Sequence, residues 1–406
     1  MSKPVAAAAA TLLAGGLWTY DASGEEVLPP PADATPPSPP PGGTATTPAE
    51  TAPAPALDVT PAPPPDLAAP PTRWGDRMLA GHTFLYPALH AGPFITTNFG
   101  VAHGVYEESI PAVPIPGSRT TDLSVIGVTS TANLGIKITD WLGIEAQGRA
   151  LAVIGNSGQS IIYAGGQLNA GGFAAPIVRI ARIDATGTQI SARAQIGELA
   201  GESLEIPRLL VLARGAVTGA VQNTPDPTAA ARAIGGALLN GGFPRVILAE
   251  ADTFGLNASI EAAQALGEMF GLQGAVTVQR RVNGLTFRDP VAGDFRESAT
   301  RWDMLVDFSA EWDAMSLHVP IAAMLEYELN ARLTGSGNEE LEEDDTTTHT
   351  FGAGIYYSGR PNLQVGLFAA TIRNLRKVAG TTVAGGPGFS GTPNAQYLQM
   401  VIRYVW

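Results

Sequence analysis

The sequence contains no cysteine, and charged residues make up only 15% of its 406 positions. The lack of cysteine excludes disulfide scaffolds, thiolate metal sites, cysteine nucleophiles and lipid anchors on cysteine. No stretch of 18 residues is wholly apolar and free of helix breakers, which argues against a helical membrane bundle. Lysine is rare, and a net charge of −13 argues against a nucleic-acid partner.

The N-terminal 72 residues lack the pattern of a globular domain. An alanine-rich apolar run from Val5 to Trp18 follows Lys3 and has the length of a signal-peptide core, so residues 1–26 are interpreted as a signal-like start. Residues 29–71 hold 17 prolines, which predicts a disordered Pro-rich linker over 27–72. Such a linker serves as a spacer or as a tether to a periplasmic or cell-wall partner. Residues 73–91 form a connecting segment.

From residue 92 onward, polar and apolar residues alternate. Between Arg301 and Trp312 the even positions are apolar, with a tryptophan at each end, and most odd positions are charged or polar. This period of two predicts a β-strand with one apolar face and one polar face that contacts water. At about 11 or more residues, the strand is longer than those of most globular sheets and long enough to cross a membrane.

The alternation recurs twelve times. The predicted strands lie near 92–104, 122–138, 142–154, 176–184, 187–199, 252–265, 270–282, 301–312, 317–332, 348–358, 362–373 and 394–406. Short turns and long connections alternate between them. The pattern predicts an all-β, transmembrane, up-and-down antiparallel β-barrel over 92–406. The barrel has about 12 strands, within a range of two more or two fewer, and its short turns lie in the periplasm.

The C-terminal strand carries a more specific signal. Leu398, Met400, Ile402, Tyr404 and Trp406 alternate and end on an aromatic residue. This segment resembles the last strand of Gram-negative outer-membrane β-barrel proteins, although the usual terminal residue there is Phe. The resemblance implies location in the bacterial outer membrane, contact with its lipid, and an insertion signal at Tyr404 and Trp406 that the barrel-assembly machinery reads. It indicates neither a subfamily nor a substrate.

The longest connection breaks the strand pattern. Asp226-Pro227 and Gly241-Gly242 bracket one predicted helix, and Pro207–Val221 is a second. Together they predict a helical insertion at 207–240. The insertion either narrows the lumen or caps the barrel from outside, and the sequence leaves both placements open.

The polar faces of the strands supply the candidate site residues. Ten charged side chains are predicted to line the lumen and set selectivity: Arg149, Arg193, Glu261, Arg281, Arg301, Asp303, Asp307, Glu326, Glu328 and Arg332. Four more are predicted to face inward: Lys137, Glu145, Glu311 and Arg403. Pairing Trp312 with Leu317 across a tight turn would place Arg301 opposite Glu328. The alternative is that these charges mostly pair to satisfy one another.

These features favour a pore or transporter for small polar solutes or ions, without a cofactor or metal and without enzymatic activity. One alternative is a plugged structural barrel that anchors a periplasmic tether or a partner complex. Another is a hydrolase at the barrel rim that uses His103 or His349, although the sequence contains no catalytic or metal-binding motif. The solute and the oligomeric state cannot be read from the sequence.

Overall fold

The computed structural model describes residues 76–113, 121–204, 228–229, 232, 248–287, 295–337, 347–374 and 393–406. Two short strands come first, β1 (Met78–Leu79) and β2 (His82–Thr83). The twelve long strands are β3 (Asn98–Val113), β4 (Thr121–Lys137), β5 (Leu142–Gly155), β6 (Gly166–Ile183), β7 (Thr188–Leu204), β8 (Leu248–Ala265), β9 (Phe270–Phe287), β10 (Phe295–Asp313), β11 (Ile321–Gly337), β12 (Thr348–Arg360), β13 (Leu363–Arg373) and β14 (Asn394–Val405). One helix of the described residues, α1 (Gly158–Ala164), follows β5.

The twelve long strands form a closed barrel. Each strand pairs antiparallel with the next along the chain, and β14 pairs with β3 to complete the ring. Closure leaves the barrel without a free sheet edge, as backbone within lipid requires. The predicted all-β, antiparallel, 12-stranded barrel is confirmed.

The outer face of the barrel is apolar. Outward side chains such as Leu325 and Ile355 are each 65% exposed, whereas their neighbours along the strand face the interior. Aromatic residues lie toward the short-turn ends of the strands, among them Trp141, Trp312 and Tyr357. A broad exposed apolar surface of this kind is unfavourable in water and favourable in lipid. Among the described residues, no helix is long and apolar enough to cross a membrane.

The register between β10 and β11 differs from the predicted one. Trp312 lies opposite Ala323, six positions beyond the predicted partner Leu317. The chain forms a 3₁₀ turn at Ala314–Leu317 and then continues to Pro320, which has no N–H to donate to a ladder, so the turn is longer than predicted. Because the shift is even, the predicted inward and outward faces are unchanged.

This register changes which charges are neighbours. Asp307 lies opposite Glu328, and Glu326 lies opposite Ser309. The predicted pairing of Arg301 with Glu328 was therefore wrong. Arg301 instead donates from Nε to Asp303 Oδ2 at 2.8 Å, on its own strand.

Two strands begin at other residues than predicted. β3 begins at Asn98 rather than at residue 92, and β6 begins at Gly166, ten residues before the predicted 176. The helix α1 fills part of what was predicted to be a long connection. The predicted insertion at 207–240 lies outside the described residues, apart from Thr228, Ala229 and Arg232, which are helical.

Residues 76–97, called the lumen segment below, fold into the barrel. The segment begins at the short-turn mouth, where β1 and β2 pair across Ala80 and Gly81, both with positive φ as a tight hairpin requires. It extends inward to residues 88–91 and returns to β3. Pro93 interrupts the region where the first barrel strand was predicted, and its carbonyl accepts hydrogen bonds from Gln189 and Ser191 of β7.

Candidate functional site

The lumen segment is held by polar side chains of the wall. Residues from five strands bond its backbone: Gln189, Ser191 and Arg193 of β7, Gln273 of β9, Glu311 of β10, Glu326 of β11 and Gln364 of β13. Gln364 is bonded twice, accepting from Tyr86 N and donating to Tyr86 O. An irregular backbone inside a barrel needs such partners, because it has no ladder of its own.

Glu326 anchors the innermost part of the lumen segment. Its carboxylate accepts from Ala88 N at 2.9 and 3.0 Å and from Leu89 N at 2.8 Å. The side chain is almost fully buried. Two successive backbone N–H groups converge on this one carboxyl group, so it has a structural role in holding the segment.

Apolar contacts complete the seating of the lumen segment. Leu79, Phe84 and Phe94 form a buried cluster with Ala263 and Ala265 of β8. A second cluster surrounds Leu85 and includes Ala322, Met324, Tyr356, Phe368, Ala370 and Val401. Each fully buried Leu or Phe contributes on the order of 1.5–3 kcal/mol, so the segment is well fixed in this conformation.

Tyr86 narrows the lumen near its short-turn end. The guanidinium carbons of Arg403 and Arg77 lie 4.2 and 4.9 Å from the centre of its ring. Its hydroxyl is hydrogen bonded to Thr96, and Thr96 also binds Asn98. Burial raises the pKa of Tyr86, and the two arginines only partly oppose this.

His82 and Glu311 form an ionic contact at the same end. His82 Nε2 lies 3.4 Å from Glu311 Oε1, and His82 Nδ1 lies 3.0 Å from the carbonyl of Glu268. Burial lowers the pKa of His82, but the hydrogen bond and charge of Glu311 outweigh it, so the pKa is raised. This contact therefore stabilises the fold fully below pH ~6.5 and weakens as the pH rises through the raised value.

A cavity of about 570 Å³, lined by both polar and apolar side chains, remains beside the lumen segment. Asn98, Gly135 and Arg403 line it near the short-turn end, and Leu199, Asn330 and Ile372 line it toward the long-loop end. Amide and hydroxyl side chains make up much of its wall: Thr129, Thr131, Asn133, Gln147, Asn169, Gln195, Asn257, Ser259, Thr277, Gln279 and Gln399. The cavity thus follows most of the height of the barrel.

The structure pairs several of the ten predicted site residues with one another. Arg193 contacts Glu145 and also Glu261, with Nε 2.9 Å from Oε1. Asp303 contacts Arg301 and lies 3.7 Å from Arg281 Nε. These groups form internal ion-pair clusters, which is the arrangement expected when lumen charges satisfy one another.

The other predicted residues have different surroundings. Arg149, Asp307 and Glu328 line the cavity. Glu326 binds the lumen segment, as described above. Arg332 lies near the long-loop end of β11, where its guanidinium approaches the backbone of Gly335.

Sequence reasoning missed the uncharged residues that hold the lumen segment. Gln189, Gln273 and Gln364 are each nearly fully buried and each bond its backbone. Their signal in the sequence is weak, because a glutamine on the lumen-facing side of a strand is expected whether the lumen holds water or a polypeptide segment. Buried, they act as side-chain partners for an irregular backbone.

The two histidines considered for a rim hydrolase lie on the outer face. His103 is hydrogen bonded to Ser130, and His349 Nδ1 lies 2.9 Å from the hydroxyl of Tyr327. Neither contacts an Asp or Glu within the described part of the chain. In the same part of the chain, no group of three or more Asp, Glu or His side chains is placed to hold a metal ion.

The C-terminal aromatics also face outward. The rings of Tyr404 and Trp406 are 5.6 Å apart and roughly half exposed. With the closed ring of strands and the apolar outer face, they define the class of the protein. It is a transmembrane β-barrel of the bacterial outer membrane, in contact with lipid along its outer wall.

Comparison with solved structures agrees with this architecture. An outer-membrane channel from Pseudomonas putida F1 has 10% identity and a TM-score of 0.42, over 80% of this chain and 100% of that one. A FadL homologue from Pseudomonas aeruginosa has 12% identity and a TM-score of 0.42, over 82% and 97%. The translocator domain of the autotransporter NalP from Neisseria meningitidis has 9% identity and a TM-score of 0.41, over 77% and 89%.

The resemblance to these structures is distant and concerns the barrel alone. The sequence matches no protein-family model, and no curated protein is similar to it.

Proposed function

We propose that the protein is an outer-membrane channel for small polar solutes, with the lumen segment as its constriction. One observation carries this proposal: the cavity extends beside the lumen segment from the long-loop end to Asn98 and Arg403. Asn98 is the first residue of β3, and Arg403 is two positions from the end of β14. A plug with a purely structural role would not need a cavity of this length alongside it.

The constriction lies where this cavity meets the short-turn mouth. Tyr86 fills that point, with the guanidinium groups of Arg77 and Arg403 over its ring. Passage occurs by diffusion along the amide-lined wall and past this ring, without a cofactor. The charged residues of the wall repel or attract solutes according to their sign, which sets ion selectivity. The predicted helices of 207–240 would add a second constriction from the long-loop side.

Conductance measurements test the channel. Purified full-length protein in planar bilayers is expected to show discrete conductance steps, and Tyr86→Ala is expected to enlarge each step because it removes the ring from the constriction. Tyr357→Ala is the matched control, since Tyr357 faces outward. Silence of the wild type, of Tyr86→Ala and of a variant lacking 76–97 would contradict the channel.

The seating of the lumen segment supports a second candidate function. Residues of five strands hold the segment, and the chain before it leads back to the Pro-rich 27–72. In this second candidate the barrel is a closed anchor, and 27–72 binds a periplasmic or cell-wall partner. Capture of such a partner by the full chain, lost on deletion of 27–72, together with silent bilayers, would favour the anchor.

Insertion is proposed to depend on the terminal strand. Tyr404 and Trp406 would be read by the barrel-assembly machinery before the strand closes the barrel on β3. Their outward position is compatible with both roles, because the same rings reach the membrane interface once the barrel has formed.

A further inference from the structure

Most charged side chains of the lumen have a partner of opposite sign. Those without such a partner are available to bind a solute. Arg193 has Glu145 and Glu261, and Asp303 has Arg301 and Arg281. These clusters need nothing from a solute. The charges that line the cavity and have no such partner are therefore the candidates for a ligand site.

Asp307 and Glu328 are two carboxylates side by side. They are direct cross-strand partners of β10 and β11, and both line the cavity. Asp307 is only 6% exposed, and its Oδ1 atom has no hydrogen-bond partner. Glu328 accepts a long hydrogen bond from Thr350 Oγ1 at 3.5 Å, and the two carboxyl groups are close enough to hydrogen bond each other when they share one proton. Within the described chain neither has a cationic group within 4.0 Å.

A shared proton leaves this pair with one negative charge and one buried acceptor without a partner, so a further donor or a cation would stabilise it. Like charges directly opposite on neighbouring strands destabilise a sheet. A buried acceptor without a partner loses the hydrogen bonds that water would have given it. An ammonium group has three donors and one positive charge, which match these acceptors.

The complementary group lies across the cavity. Arg149 projects from β5 into the same space, and its charge acts on both Glu328 and Tyr397. It is exposed and, among the described residues, forms no ion pair within 4.0 Å. A guanidinium offers a planar pair of N–H donors that fits a carboxylate. The cavity thus presents an anion-binding group on one wall and cation-binding groups on another.

We propose that this cavity binds a small zwitterionic solute of the free amino acid class. Its carboxylate binds Arg149, and its ammonium lies between Asp307 and Glu328. The proposal rests on the proposed channel function, for which it names the class of solute. A zwitterion matches both sets of charges at once, whereas a simple anion, a simple cation or a neutral sugar matches one set or neither.

A bound metal ion is a poorer match to this site. The described residues contain no cluster of three or more acidic or histidine side chains that would hold one. Hard cations such as Ca²⁺ take six to eight oxygen ligands. Two carboxylates facing a guanidinium fall short of this number and add an opposing charge.

Calorimetric titration of the full-length protein in detergent tests the proposal. L-glutamine is the probe, with propylamine, propionate and glucose as the comparison solutes. Glutamine is expected to bind, and each comparison solute to bind about ten- to a hundredfold more weakly, since each lacks at least one charge-assisted contact.

Two variants and two controls locate the site. Arg149→Gln and Asp307→Asn are each expected to weaken glutamine binding by about tenfold or more. Arg373→Gln and Glu107→Gln are the matched controls, because these exposed residues project from the outer face. Arg149 is exposed to the cavity and is not part of an ion pair, so its variant tests the site even if Asp307→Asn fails to fold.

The outcomes separate the site from the channel. Absence of glutamine binding, equal binding of propylamine, or unchanged binding by Arg149→Gln would each overturn the zwitterion site. Conductance steps without glutamine binding would leave the channel and remove the site. Glutamine binding that needs Arg149, in a protein without conductance, would support the site and remove the channel.

Discussion

His90 is a neutral histidine at the inner end of the lumen segment. Its Nδ1 lies 3.0 Å from the carbonyl of Ala91, and its Nε2 lies 3.3 Å from Ser309 Oγ. Burial lowers the pKa of this imidazole to about 4, and the charge of Arg193 acts in the same direction. The folded segment therefore disfavours protonation of His90, whereas in the unfolded chain this imidazole is protonated as the pH falls below about 6.5.

Acid is expected to loosen the lumen segment through His90. The stability that the neutral imidazole contributes is fully present above pH ~6.5 and is lost as the pH falls toward 4. At pH 4.5 the loss amounts to about 2–3 kcal/mol. Hydrogen exchange of the Ala88 and Leu89 amides, corrected for intrinsic rates, measures this opening at pH 7 and 4.5. His90→Gln should remove the part of the acid effect that comes from His90, and the remainder comes from Glu326, whose carboxylate accepts hydrogen bonds from the same two amides. An acid response in that variant equal to that of the wild type would contradict the assignment.

His82 responds to pH in the opposite sense. Its pKa is raised by Glu311, so its contribution is lost with rising rather than falling pH. Two histidines only eight positions apart in one segment thus have opposite pH dependence. Burial, aided by the charge of Arg193, lowers the pKa of His90, whereas at His82 the carboxylate of Glu311 outweighs burial. Comparing wild type with His90→Gln separates the two contributions.

At the level of elements, the lumen segment and strand β9 are in close contact at Gly271. A Cβ atom at this position would lie 2.5 Å from His82 Nε2 and 2.7 Å from both Glu311 Oε1 and Phe84 Cε1. These distances are well below van der Waals contact. The glycine is therefore needed for the segment to lie against the wall, and not for an unusual backbone angle.

Gly271→Ala is expected to displace the segment locally and to destabilise its seating by about 1–3 kcal/mol. Exchange of the Phe84 and Leu85 amides measures the effect. Gly255→Ala on β8 is the matched control, since its nearest contact would be at 3.7 Å. Equal protection of Phe84 and Leu85 in the two variants would show that the segment does not rest on β9 as described.

At the scale of the whole molecule, the barrel separates two solvents. Ile355 is 65% exposed on the outer face, whereas Ile372 lines the cavity. Ile355→Arg is expected to cost roughly 2–4 kcal/mol in lipid vesicles, the range for a basic residue near the bilayer midplane. Ile372→Arg places the same side chain in the cavity instead of in lipid, so its loss in free energy of unfolding should be much smaller. Denaturant titration of vesicle-embedded protein measures both, and equal costs would contradict the lipid-facing assignment.

Much of this architecture could be read from the alternating pattern. The even positions of 301–312 face outward and the odd positions face the lumen, as predicted. The register of β10 on β11 could not be read in the same way, because the turn holds a 3₁₀ segment and Pro320 rather than a tight hairpin. Which carboxylates are neighbours depends on that turn, so the Asp307–Glu328 pair emerged only from the fold.

The sequence by itself determined the wall: a strand between lipid and a polar lumen must alternate, and each of the twelve strands shows that alternation locally. Only the tertiary structure decided what occupies the lumen. Residues 76–97 have no repeating pattern, since their backbone is satisfied by side chains such as Gln189, Glu326 and Gln364 that lie far away in the chain. Contacts of that kind exist only once the barrel has closed around the segment.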